Sequence, residues 1–281
     1  MNALECAEKA SDIFVLSDSF IRIKELIDDE TSTIDDIAEI IILDPALSGT
    51  ILKLANSSFF NYPGKIDTIS KAVLVLGITE VYNLIIAYFT TEAFKPISAE
   101  ASYLEKFWEQ TVDCALLVKY LGGVLNIPYS ERLFILGLLH NLGELVVQQF
   151  MPAKVDACNE RSANEFPWDV QSELLNFTYG ECSAELLKLW QLPFTLIEPI
   201  RNQDNEDFTY ASIETQLLYI AKRIMLSMHY AKSHKDLSTL DEDKINALNL
   251  DREIISAGKN FCDMERLGIL SALSPSAAMI Y

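Results

Sequence analysis

The sequence predicts an all-α protein, in which an N-terminal helical subdomain packs on a larger helical bundle. Three observations carry this. Apolar residues recur at helical spacing in almost every long segment. Capping residues, prolines and glycines mark where those segments start and stop. No alternating apolar–polar pattern runs for more than a few residues, so no half-buried strand is expected.

The elements follow in order. Ile34, Ile37, Ala38, Ile41 and Ile42 form one apolar stripe, with Asp35, Asp36 and Glu39 on the opposite face. Thr33 with Asp36 has the form of a capping box, Asp standing for Glu. Asp44-Pro45 punctuates the chain, because the residue before proline avoids helical angles. Pro45 suits the first turn of a helix running to about Ala55. Asn56 to Gly64 reads as a helix exit and loop, with Asn56 and Ser57 satisfying backbone groups. Asp67 or Thr68 can cap a short helix that stops at Gly77, and Thr79 can cap the next, which runs toward Phe94. The stretch Lys95-Pro-Ile-Ser-Ala-Glu100 is the best boundary and divides the chain into residues 1–96 and 97–281. Beyond it, a long helix carries Trp108 and Cys114 toward Gly122-Gly123. Another runs from Phe134 to Val147 and includes His140. Helical patterns resume near Val170, Glu181, Ile213 and Ile254, with Pro128, Pro152, Pro167 and Pro193 as breakers. Lys232 to Lys244 reads as an exposed polar loop.

Composition bounds the function. Half of the 281 residues are hydrophobic, enough for a sizeable core. A net charge of -19 argues against a nucleic-acid or anionic-membrane partner, since both are polyanions, and favours solubility. The five cysteines are widely spaced, odd in number and without a CxxC. They suit reduced thiols in a cytoplasmic protein and give no zinc signature. Neither a signal peptide nor an apolar run of about 18 residues is read from the sequence. Glu181 and Glu185 have the spacing of a paired carboxylate but read as a solvated face. His229 and His234 do not share a helix face and read as solvated too. Gly122-Gly123 lacks the strand context of a phosphate loop, and no GxSxG elbow occurs.

Several stretches, taken in order, carry a family resemblance. They are Asp44-Pro-Ala-Leu-Ser48, Leu52-Lys-Leu-Ala-Asn-Ser-Ser-Phe-Phe60, and Ile69-Ser-Lys-Ala-Val-Leu-Val-Leu-Gly77. Phe107-Trp108, Phe134-Ile-Leu-Gly-Leu-Leu-His-Asn-Leu-Gly143 and Leu186-Leu-Lys-Leu-Trp-Gln-Leu-Pro193 follow. Together, over roughly residues 10–230, they resemble HDOD domains, the HD-related output domains of bacterial signalling. The resemblance implies an N-terminal helical subdomain on a degenerate HD-like bundle, a bacterial source and a signalling output role. The signature starts near the N-terminus, so no fused domain is expected.

The related HD phosphohydrolases grip a divalent metal with imidazoles and carboxylates, and the metal makes hydroxide near neutral pH. Carried over position by position, the early histidine falls on Gln110 and the His-Asp pair on His140-Asn141. The later histidine falls on Tyr179, and a His-His pair falls near Gln203 and Asp204. One imidazole survives. Asn141 offers a neutral carbonyl oxygen where Asp would bring a full charge to a hard cation. The resemblance therefore implies a vestigial pocket of Gln110, His140, Asn141, Tyr179 and Gln203, with no catalytic residue, metal or cofactor. His140 itself is expected to face the core, bonded to Gln110 or to a neighbour of Asn141. The expected function is a non-catalytic output or scaffold module working through protein partners, with no nucleic-acid or membrane partner. Phe59, Phe60 and Tyr62 are candidates for partner contact or for burial in the seam between the bundles. Two alternatives stay open: a divergent phosphohydrolase of nucleotides or cyclic dinucleotides, and a metal-free small-molecule sensor.

Overall fold

The computed structural model describes residues 1–29, 31–57, 60, 62–127, 132–160, 165–207, 210–230 and 242–273. Its helices begin with α1 (Ala3–Ser11), α2 (Asp18–Asp28), α3 (Ile34–Ile42), α4 (Pro45–Ala55), α5 (Ile69–Leu76) and α6 (Ile78–Ala93). Next come α7 (Ala101–Val124), α8 (Arg132–Leu139), α9 (Leu142–Phe150), α10 (Pro152–Asn159) and α11 (Pro167–Leu175). The last are α12 (Tyr179–Leu189), α13 (Phe194–Asn202), α14 (Ile213–His229), α15 (Glu242–Ala247) and α16 (Arg252–Leu273). Among the described residues there is no strand, as the all-α expectation requires.

The chain divides into two units. The larger comprises Met1–Phe14 with Pro96–Asp263, and the smaller Val15–Lys95 with the residues from Met264 onward. A division at residue 96 alone would put α1 in the smaller unit. Instead Cys6, Ala7 and Ala10 are buried and α1 packs on α9 and α12. The indole Nε1 of Trp190 donates to the Phe14 carbonyl at 3.1 Å, tying the exit of α1 to the end of α12.

In the smaller unit the capping box at Thr33 forms as written: the Asp36 carboxylate accepts from the Thr33 N–H at 2.8 Å, and Thr33 Oγ1 from the Asp36 N–H at 3.2 Å. Asp44 caps α4 through the N–H groups of Ala46 and Leu47, both at 3.0 Å. Asn56 stitches the exit of α4: Nδ2 donates to the carbonyls of Leu52 (2.7 Å) and Ile66 (2.6 Å), and Oδ1 accepts from the Ile66 N–H at 2.8 Å. Thr68 caps α5. The next helix starts earlier than a Thr79 cap would allow. Gly77, at φ 89°, ends α5 and opens α6, and the chain turns through 119° there. That positive φ is strained for any residue with a Cβ.

In the larger unit α7 packs chiefly on α8 and α14, and α12 on α1, α9 and α13. Two glycines let these backbones approach closely. A Cβ on Gly137 would stand 2.4 Å from Ala115 Cα, and one on Gly143 would stand 2.1 Å from the Tyr179 carbonyl oxygen. The single helix expected from Phe134 to Val147 is two, broken at His140-Asn141. All five cysteines are buried and unbridged.

Candidate functional site

The break between α8 and α9 creates the site. A helix that stops and restarts leaves carbonyls and N–H groups without helical partners. Here neighbouring helices supply them. The His140 carbonyl accepts from Gln203 Nε2 at 2.8 Å and from Ser183 Oγ at 3.2 Å. Ser183 Oγ in turn accepts from the Gly143 N–H at 2.8 Å.

The His140 side chain is 1% exposed. Its Nδ1 lies 2.6 Å from the Gly137 carbonyl, inside its own last helical turn, and not on Gln110 or a neighbour of Asn141. A carbonyl only accepts, so Nδ1 carries the proton and Nε2 presents a lone pair. That Nε2 is buried without a hydrogen-bond partner among the described residues. Burial, reinforced by the charge of Lys222, pushes the imidazole down to about 3, so it is neutral at ordinary pH.

Around it, Asn141 Nδ2 donates to Glu144 Oε2 at 2.6 Å, and Tyr103 donates its phenol proton to Glu144 Oε1 at 2.9 Å. Gln110 Nε2 donates to the Tyr230 hydroxyl at 3.2 Å. Tyr179 opens α12, is buried, and has its N–H bonded to Gln171 Oε1 at 2.9 Å. From α14, Lys222 is 5% exposed; its Nζ lies 2.6 Å from Asp204 Oδ1 and 4.8 Å from the centre of the Trp168 ring.

Gln110, His140, Asn141, Glu144, Tyr179 and Lys222 line one cavity of about 40 Å³. At ~10–15 Å³ per water this holds a few waters, far below the ~300 Å³ at which ligand pockets begin. Four of the five residues singled out in the sequence thus meet at one cavity. The fifth, Gln203, does not line it. It is wholly buried behind the joint, bonded to the carbonyls of His140 and Ile200.

Lys222 and Glu144 were missed. A signal existed for Lys222: Lys222-Arg223 interrupts an apolar run from Leu217 to Leu226, so a helix buried all round must bury them too. Arg223 is 1% exposed. Its guanidinium sits 3.2 Å from the Tyr219 ring centre and 4.3 Å from that of Trp168, and pairs with Glu206 at 3.1 Å.

The donor set does not fit the divalent metal of an HD enzyme. The imidazole is single, Asn141 brings no charge, the Glu144 carboxylate already accepts from two donors, and an ammonium shares the cavity. Among the described residues no group of three or more His, Cys, Asp and Glu side chains is placed to hold a metal ion.

Other expectations are corrected. His229 is not solvated: its Nε2 lies 2.7 Å from Asp113 Oδ2, and the Asp113 side chain is wholly buried. His234 and Phe59 lie outside the described residues. Glu181 completes a capping box with Thr178, and Glu185 pairs with Arg201 at 2.8 Å, so neither is part of a free acidic face. The polar stretch from Lys232 is helical from Glu242, and Lys244 is held by Glu206 and Tyr219. Among the described residues, Leu133–Phe150 has the length and apolarity of a membrane span, as does the bent pair Ile69–Leu76 with Ile78–Ala93; 72% of the former is buried inside the fold. Glu144 and the polar pair His140-Asn141 mask Leu133–Phe150 in the sequence.

The HDOD domain model matches residues 13–206. An uncharacterized protein of Treponema pallidum (strain Nichols) is 28% identical over 209 residues, 72% of this chain; the chain spans 40% of that relative's length. Three crystal structures share the fold. A proposed phosphohydrolase of Shewanella amazonensis SB2B superposes with a TM-score of 0.73 at 22% identity, over 98% of both chains. An HDOD domain protein of unknown function from Geobacter sulfurreducens gives 0.72 at 17% identity, over 96% of this chain and 97% of that one. A proposed signal transduction protein of Marinobacter aquaeolei VT8 gives 0.70 at 22% identity, over 93% of this chain and 59% of that one.

Proposed function

The chain belongs to the HDOD domain family, and on that premise we propose that it is a non-catalytic bacterial signal-transduction module that acts as an output or scaffold through protein partners. The observation that carries this is the state of the cavity beside His140. A phosphohydrolase of the HD type needs a metal-bound water. Of the positions in this cavity inherited from that chemistry, one imidazole remains and the others carry uncharged side chains. His140 keeps a single ring nitrogen, Nε2, for any ligand, Asn141 donates its amide to Glu144, and Gln110 is bonded to Tyr230. The volume also leaves no room for a nucleotide. What remains is a stable helical body with an acidic surface, suited to holding partners that are not polyanions.

The test is turnover. The full chain is incubated with bis(p-nitrophenyl) phosphate and with cyclic dinucleotides in the presence of Mn²⁺, Fe²⁺ or Zn²⁺. The reading expects no hydrolysis above the metal-only blank. Hydrolysis that is abolished in His140→Ala overturns it.

A further inference from the structure

We infer that the Lys222 ammonium is the resident cation of the His140 cavity and the residue that closes it to divalent metals. The inference rests on the non-catalytic reading above and extends it from lost ligands to a positive exclusion. Lys222 enters from α14, a different helix from His140 and Asn141, yet lines the same cavity. It is a built position and not a side chain reaching for solvent. The residue is 5% exposed, its Nζ is fixed 2.6 Å from Asp204 Oδ1, and the face of Trp168 lies 4.8 Å away. Its counter-ion is buried with it: the Asp204 side chain is 11% exposed, Oδ1 pairs with Lys222, and Oδ2 is buried without a partner among the described residues.

Charge then decides occupancy. An ammonium at close range repels a second cation most strongly where water is excluded. Of the carboxylates nearby, Asp204 is paired with Lys222 itself, and Glu144 keeps its charge but is held by hydrogen bonds from Asn141 and Tyr103. The cavity is thus lined by one internal cation that any metal ion entering it must approach. Restoring the missing carboxylate at position 141 is therefore not enough to bring a metal back.

Equilibrium dialysis of the full chain against Mn²⁺ or Zn²⁺, followed by elemental analysis, tests this with no need for activity. The wild type, Asn141→Asp, and Asn141→Asp with Lys222→Arg should all stay far below one metal per chain. Asn141→Asp with Lys222→Met removes the charge at similar volume. It should bind metal at least about tenfold more tightly than Asn141→Asp alone, the lower end of what a single ligand-shell change does. Equimolar metal in the wild type or in Asn141→Asp, lost on His140→Ala, overturns the inference. So does an unchanged affinity in the Lys222→Met double variant. If that variant does not fold, the wild type still decides: the His140 imidazole NMR signal should survive Mn²⁺, and its paramagnetic broadening overturns the inference. Metal binding without hydrolysis sinks only the role of Lys222, whereas hydrolysis sinks the non-catalytic reading as well.

Discussion

Replacing Asn141 by Asp should destabilise the larger unit, and more so at higher pH. In the wild type the Asn141 amide donates to Glu144 Oε2 at 2.6 Å. A hydrogen bond to a charged group contributes about 1.5–3 kcal/mol. In the variant two carboxylates meet at that separation. Were both ionised, their repulsion at an effective dielectric of 20 would be about 6 kcal/mol. The pair relieves this by keeping one proton, which costs about 1.4 kcal/mol for each pH unit above an ordinary carboxylate pKa of ~4. The protonated pair also restores a hydrogen bond. The sign follows from linkage. One carboxyl has a folded pKa raised above its unfolded value, so the deficit is absent below ~4 and grows as pH rises toward the folded pKa. We expect a loss of about 5 kcal/mol at pH 7.5 and of about 2 kcal/mol at pH 5.5. Urea unfolding followed by tryptophan fluorescence reads this cleanly, because Trp108, Trp168 and Trp190 all lie in the larger unit. A variant as stable as the wild type, or one equally weakened at both pH values, would refute the pairing of Asn141 with Glu144.

Gly143→Ala would place a Cβ 2.1 Å from the Tyr179 carbonyl and should cost about 3 kcal/mol or more by the same fluorescence assay. Gly49→Ala, exposed in α4 with nothing within 4 Å of the new Cβ, should instead add about 0.5–1 kcal/mol, read as a higher melting midpoint by circular dichroism. The His140 imidazole, lowered by burial to about 3, should show no titration between pH 5 and 8 by ¹⁵N NMR. Its depressed pKa stabilises the fold fully above the unfolded value of ~6.5. That stabilisation drains at about 1.4 kcal/mol per pH unit as pH falls below it, so His140→Gln should flatten acid unfolding between pH 6 and 4.5. Arg223→Lys keeps the charge but loses the planar stack on Tyr219 and Trp168, and should cost about 2 kcal/mol in urea midpoint experiments. An unchanged midpoint would show that charge alone holds Glu206.

Helix starts were legible because their signals are local. Thr33 with Asp36 caps where the sequence places it, Thr68 is the one of Asp67 and Thr68 that caps, and Asp44, read only as a break before Pro45, caps as well; all act within one turn. Gly77 was legible as a stop but not as a start, since its φ of 89° serves both helices at once. The break at His140-Asn141 was illegible. Leu136 to Leu145 is apolar at helical spacing throughout, and the partners that permit the break, Ser183 and Gln203, come from 40 or more residues away. Distance along the chain also hid the partners of His229 and Lys222, Asp113 and Asp204. The cavity positions were reached through family spacing and not through chemistry, which is why the charge that governs the cavity escaped notice.

The joint between α8 and α9 is held by groups that do not belong to it. Ser183 and Gln203 grip the His140 carbonyl and, through Ser183, the Gly143 N–H; none of these bonds involves the side chain at position 140 or 141. The backbone groups of the dipeptide are thus satisfied from outside it, while its own side chains bond the Gly137 carbonyl and Glu144. A metal centre built on such a joint can be dismantled one ligand at a time while each intermediate protein still folds. The same outside support makes the joint a reusable socket, in which an exchange at residue 140, 141 or 222 must be matched at Gly137, Glu144 or Asp204 but not along the backbone.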